Sequence, residues 1–287
     1  MAVGAGGLPD FLSISGIRLG VAEAGIKKPG RKDLVLIELA KGGSCAGVFT
    51  KNAFCAAPVI LSKKHLLEAC FASKSNGYLL VNTGNANAGT GKAGMDDALL
   101  SCQSVAAQFN VLPEQVLPFS TGVIGEKLPI AKIQKGIPLA AADLSEGNWA
   151  SAAEGILTTD TRPKGVSTQV TYGGQLITIN GISKGSGMIR PNMATMLGFI
   201  GTDATISESL LAELTTELAE HSFNRITVDG DTSTNDSCML LASGQSAAPE
   251  IRIEHEDFLN FRTALQDVFI ELAQLIIPDG KGATKFV

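Results

Sequence analysis

Histidine is scarce in this chain. His65, His221 and His255 are the only three in 287 residues, and no two stand at metal-ligand spacing. That argues against an ordinary zinc site and against a His-based catalytic triad. The five cysteines, Cys45, Cys55, Cys70, Cys102 and Cys238, are odd in number and contain no CxxC pair. They read as reduced thiols rather than a disulfide framework. Basic residues show no surplus: net charge is −5, and Lys and Arg are scattered. Such a surface offers no electrostatic footprint for nucleic acid. No apolar run approaches the roughly 18 residues needed to span a bilayer, and the first ten residues lack a basic region followed by a hydrophobic one. The expectation is a soluble cytoplasmic protein with no membrane partner. Aromatics make up only 5% of residues, so Leu, Ile, Val and Ala must fill the core.

Hydrophobic residues are plentiful at 45%, enough for one large α/β domain or two smaller ones. Glycine is abundant at 32 residues, which favours turns and close backbone approaches. Asp33 to Leu39, Gly77 to Asn82 and Val116 to Phe119 read as strands bounded by turn residues. Ala93 to Phe109 reads as a helix, with Leu99, Cys102, Val105, Ala106 and Phe109 at helical spacing. Thr168 to Asn180 alternates on either side of Gly173-Gly174, the pattern of a hairpin with a primed turn. Ser207 caps a helix reaching about Glu220. A longer helix runs from about Glu256 to Ile277, its stripe of Phe258, Phe261, Leu265, Phe269, Leu272 and Ile276 read as core packing, and Pro278 ends it. No linker, low-complexity segment or internal repeat divides the chain.

Several motifs invite chemistry. Gly89-Thr90-Gly91-Lys92-Ala93-Gly94 matches GxGxxG before a helix, but a strand ending near Asn82 leaves its first glycine six residues too late for a dinucleotide fold. The plainer reading is a glycine-rich turn that lets backbone and Asn side chains crowd together. Asp229, Asp231 and Asp236 suggest a cation loop, yet Thr234 and Leu240 stand where an EF-hand needs Gly and Glu. They read as turn residues. Ser120-Thr121-Gly122 is a strand-to-loop turn or a place where a backbone N–H meets a substrate oxygen. Lys184 is a solvated loop charge on its own evidence. Thr195 follows the small Ala194 at the mouth of the apolar run Met196 to Ile200. It is either an ordinary strand residue or a nucleophile. In the second case, attack on the preceding carbonyl would free an α-amine with a pKa of about 7.7–8.0, a base near neutral pH.

Five blocks then match one family in order. They are Asn82 to Gly91, Pro118 to Ile124, Thr158-Thr159-Asp160-Thr161, Lys184 to Leu197 and Thr227 to Asp236. Together they resemble the ornithine acetyltransferase family, also called glutamate N-acetyltransferase or ArgJ, over essentially the whole chain. The resemblance implies a layered α/β/β/α sandwich of α+β or α/β class, of the DmpA/ArgJ-like type. It implies acetyl transfer from N-acetylornithine to glutamate in arginine biosynthesis, through an acetyl-threonine on Thr195 after self-cleavage between Ala194 and Thr195. Residues 1–194 would then form an α chain and 195–287 an incomplete β chain, assembled as two α and two β chains. Thr121 and Gly122 would hold the oxyanion, and Thr158 and Lys184 would bind substrate. No cofactor is implied, although some relatives also use acetyl-CoA as a substrate. Asp160 and Arg162 receive no role.

Two departures stand against this. The family pattern has Glu where this chain has Lys281, a substrate-lining position, and relatives continue past Val287. The alternatives are therefore a catalytically impaired fragment of the family and a related N-terminal-nucleophile aminopeptidase.

Overall fold

The computed structural model describes residues 7–68, 71–72, 75–188 and 196–280. Two sheets stack face to face. The first holds β1 (Ile17–Ala22), β2 (Leu34–Leu39), β4 (Gly77–Asn85) and β5 (Val116–Val123), in the order β1-β2-β4-β5. Its strands are antiparallel except for the parallel pair β4–β5. The second holds β3 (Ser44–Phe49), β6 (Lys164–Tyr172), β7 (Gln175–Lys184), β8 (Leu197–Thr202) and β9 (Ser237–Ala242), in the order β3-β9-β8-β7-β6. Here β8 and β9 are the parallel pair.

The two-residue period of a strand sorts side chains into layers. In β2, Leu34 and Leu36 face outward while Val35, Ile37 and Leu39 face the other sheet. In β4, Tyr78 and Leu80 face outward while Leu79 and Val81 face inward. In β9, Met239 and Leu241 meet that same inner layer, whereas Cys238 and Leu240 face away from it. Both faces of both sheets are thus apolar and both need cover. Helices α1 (Ala57–Glu68), α2 (Gly91–Phe109) and α3 (Ile130–Ala142) pack on the outside of the first sheet. Helices α5 (Glu208–Glu220) and α6 (Phe258–Ile276) pack on the outside of the second. Between the sheets, Trp149, Ala152 and Ala153 of the short α4 (Trp149–Gly155) fill one end of the core. The result is the expected α/β/β/α sandwich.

Local readings fare well where pattern is strong. Gly173 and Gly174 both have positive φ, +56° and +74°, and Tyr172 pairs with Gln175 across them. That is the primed hairpin turn. Ser207 accepts the Leu210 N–H at the start of α5, and the α6 stripe lies in the core.

Three readings need correction. Strand β4 continues to Asn85 rather than stopping near Asn82, so the gap before Gly89 is shorter than supposed. The glycine block nonetheless behaves as a packed turn. Asn87 donates to the Gly94 carbonyl at 2.8 Å and accepts from the Thr90 hydroxyl at 2.9 Å. Next, Ser120-Thr121-Gly122 is neither loop nor turn but the last part of β5. Parallel pairing to Asn82-Thr83-Gly84 keeps it extended. Finally, Lys184 is no solvated loop charge: it ends β7 and is buried.

Candidate functional site

A cavity of about 510 Å³ opens where β4 and β5 end, beside the end of β7. Its floor is the parallel pair. Thr83 stands opposite Thr121 and Gly84 opposite Gly122. Gly84 and Gly122 have φ of +100° and +138°. A Cβ on Gly122 would lie 2.3 Å from the Gly84 carbonyl carbon, so glycine alone fits there. Asn85 then pairs with both Thr121 and Val123, an irregularity that ends the ladder at the cavity.

Side chains from distant blocks brace this floor. The Ser120 hydroxyl donates to Asn82 Oδ1 at 2.6 Å, and Asn235 Nδ2 donates to the Ala86 and Ser120 carbonyls at 2.7 and 2.9 Å. Three of the sequence blocks therefore meet in one hydrogen-bonded cluster.

The facing wall carries Thr158, Thr159, Lys184, Ser186 and Met188. Asp160 organises it. One carboxylate oxygen accepts the Gly185 N–H and the Lys164 ammonium, each at 2.7 Å; the other accepts the Thr158 N–H at 3.2 Å. Lys164 is fully buried and reaches Asp279 at 2.6 Å as well. Burial pushes the Asp160 carboxyl up, but the charges of Lys164 and Lys184, with hydrogen bonds from Lys164 and Gly185, outweigh it. The net effect holds Asp160 below the usual carboxylate range.

Lys184 faces the opposite balance. Burial pushes its pKa down, while Asp160 and Asp236 pull it back up and Lys164 opposes them. No carboxylate forms an ion pair with it among the described residues, and the buried residue lines the cavity. Asp236 does not line the cavity, but its charge acts on Lys184. Burial raises its pKa well above the ordinary value, against the Lys184 charge and hydrogen bonds from Ser233 and Met196. Its Oδ1 accepts the Met196 N–H at 3.1 Å.

The mouth mixes charges. Lys27 pairs with Glu126 at 2.6 Å, and Arg31 donates to the Leu157 and Thr158 carbonyls. Asp33 is raised by burial, against N–H donors from Ile26, Ala24 and Gly25 and the nearby Arg31 charge. Asp229 accepts the Asp231 N–H at 3.4 Å, the local turn bonding expected of this loop, and also the N–H of Met188 from 41 residues away. No three His, Cys, Asp or Glu among the described residues are arranged to hold a metal ion. None of their helices is long and apolar enough to cross a membrane.

Of the residues singled out in the sequence, Thr121, Gly122, Thr158 and Lys184 all line this one cavity. Ala194, Thr195 and Lys281 lie outside the described residues. Their neighbours bear on the site: Met188 lines the cavity, and Met196 is buried with its N–H on Asp236. Sequence reasoning missed Thr83 and Arg31 and left Asp160 without a role. The only signal for Asp160 was its place between Thr159 and Thr161 in a matching block. Strands from both sides of residue 194 share one sheet, β6 and β7 with β8 and β9.

The ArgJ family model matches residues 18–287. The arginine biosynthesis bifunctional protein ArgJ of Pseudomonas fluorescens is 56% identical over all of this chain, which spans 70% of that relative's length. Among solved structures, ArgJ from Bacillus halodurans aligns with a TM-score of 0.54 at 34% identity, over 63% of this chain and 92% of that one. Ornithine acetyltransferase from Mycobacterium tuberculosis, solved with ornithine, gives 0.50 at 29% identity, over 62% of this chain and 92% of that one.

Proposed function

The chain belongs to the ArgJ family, and from that membership we propose that it moves an acetyl group from N-acetylornithine to glutamate within arginine biosynthesis. The observation that carries the reading is the convergence of Thr121, Gly122, Thr158 and Lys184 on one cavity that Met188 also lines, at the edge of the segment leading to Thr195.

Chemistry follows from those groups. Self-cleavage between Ala194 and Thr195 frees the Thr195 α-amine and divides the chain into residues 1–194 and 195–287. The amine takes the Thr195 hydroxyl proton as the oxygen attacks the acetyl carbonyl. Thr121 and the Gly122 N–H receive the oxyanion, a form of stabilisation that is usually the largest electrostatic term in acyl transfer. Collapse returns the proton to the departing ornithine nitrogen and leaves acetyl-Thr195. The glutamate amine then attacks that ester, giving N-acetylglutamate and restoring the hydroxyl. Lys184 holds a substrate carboxylate, and Thr158 orients the ligand. The reaction balances without metal or bound cofactor, and acetyl-CoA would enter only as an alternative acyl donor. The cleaved chains would assemble as two α and two β chains.

The test is intact-mass analysis paired with an acetyl-transfer assay. Two fragments meeting at 194/195, a single chain in Thr195→Ala, and N-acetylglutamate formed from N-acetylornithine would support the reading. An uncut protein that still transfers acetyl groups would remove the N-terminal threonine from the mechanism. A family member that cleaves peptides but transfers no acetyl group would favour the aminopeptidase alternative.

A further inference from the structure

Thr83 lines the cavity and is 2% exposed, yet its hydroxyl has no hydrogen-bond partner among the described residues. Among the described residues, Asp97, Trp149, Asn180, Asp236 and Ser246 also carry a buried side-chain atom without a hydrogen bond, and none of them lines the cavity. A buried, unpaired hydroxyl is unfavourable, and valine would fill the same shape without one. The free protein gains nothing from this oxygen.

Its placement says what would use it. Thr83 and Thr121 are directly opposite each other on the parallel strands β4 and β5. The residues two and four positions before each, Val81 and Leu79 on one strand and Phe119 and Leu117 on the other, all pack between the sheets. By strand periodicity the two threonines face that same side. Ser120 and Asn82 bond to each other one residue earlier, on the opposite face. Adjacent strands lie about 4.8 Å apart. An O–H···O bond spans about 2.7 Å. Two hydroxyls at that spacing can both donate to a single oxygen seated between them.

We infer that Thr83 is a second side-chain donor to the acyl oxygen of the substrate, beside Thr121. The inference rests on the acetyl-transfer reading, and it specifies the ligand as an N-acyl amino acid. The acyl oxygen sits between the two threonines, while the buried Lys184 ammonium in the same cavity takes a carboxylate. An amino acid without the acyl group has nothing for Thr83 to hold.

That difference provides the test. N-acetylglutamate and glutamate are each titrated by calorimetry into the wild-type full chain, Thr83→Val and Thr83→Ser. Thr83→Val should weaken N-acetylglutamate binding by about tenfold, the worth of one hydrogen bond to an oxygen otherwise left short of a donor. Glutamate binding should stay as in wild type, and Thr83→Ser should bind N-acetylglutamate within about twofold of wild type because the hydroxyl is kept. The urea midpoint of Thr83→Val should equal or exceed that of wild type. Unchanged N-acetylglutamate binding in Thr83→Val would overturn the inference. So would an equal loss for both ligands, a serine variant as weak as the valine one, or a lowered midpoint, each of which makes the residue structural. A wild-type protein that binds neither ligand would defeat the acetyl-transfer reading itself, and this inference with it.

Discussion

Asp160 accepts the backbone N–H of Gly185 at 2.7 Å, and thereby ties the loop that carries Thr158 to the strand end that carries Lys184. One carboxylate holds both sides of the cavity wall. It is itself held by Lys164, which is fully buried between Asp160 and Asp279.

Asp160→Ala should therefore destabilise the fold by about 3 kcal/mol, because Lys164 keeps its buried charge and loses one of two partners. Urea unfolding would measure it. The sign of the pH dependence follows from the lowered pKa of Asp160. Its stabilising contribution is complete above the unfolded-state carboxylate pKa of about 3.9 and is lost as pH falls through the lower folded-state value. The acid limb of the wild-type stability profile should flatten in the variant.

Gly122→Ala should cost about 2–4 kcal/mol, combining a strained positive φ with a clash against the Gly84 backbone. Gly125→Ala also meets a positive φ, but nothing lies within 4 Å of the added carbon. It should cost about 1 kcal/mol. Thermal unfolding of the two variants side by side separates the clash from the dihedral.

Lys184→Met keeps the length of the side chain and removes its charge. Affinity for glutamate should fall by about 10- to 100-fold, the range for a hydrogen bond to a charged group. Burial lowers the Lys184 pKa, so wild-type affinity should decline with rising pH before an exposed lysine would titrate. Between that folded-state value and the unfolded lysine value of about 10.4, the unfolded chain binds more protons, so this residue makes stability rise with pH. An affinity that is flat up to pH 10 would show that Lys184 does not hold the carboxylate.

Thr121→Val removes one hydroxyl and keeps the volume. If that hydroxyl helps to receive the oxyanion, kcat for acetyl transfer should fall by about 10²–10³ with little change in KM. An unchanged kcat would take Thr121 out of the chemistry.

The family resemblance implies a carboxylate lining the substrate site at the position of Lys281. Transfer from the amine-bearing N-acetylornithine should be weak in this chain, and Lys281→Glu should raise it by about tenfold or more by turning repulsion into attraction. N-acetylglutamate formation followed by mass spectrometry checks this directly. Equal rates would mark the substitution as tolerated.

Local signals, read along the chain, were enough for the parts whose cause is local. The Gly173-Gly174 turn needs positive φ at two adjacent residues, which glycine supplies. The α6 stripe and the Ser207 cap follow from helical spacing and a single hydroxyl. Motif order singles out Thr121, Gly122, Thr158 and Lys184, and all four line one cavity. Tertiary structure alone decided what surrounds them. Lys184 looks solvated because glycines and polar residues follow it, but it is buried at the end of β7, within reach of the charges of Asp160 and Asp236, which are 24 and 52 positions away. Ser120-Thr121-Gly122 looks like a turn because it contains Gly, yet pairing with Asn82-Thr83-Gly84 makes it strand. Thr83 is unremarkable in sequence, since threonine is common in strands. Its unpaired hydroxyl has meaning only because Thr121, 38 residues later, lies beside it in register. Burial and long-range register are properties of the packed sheets, and no local window of residues encodes them.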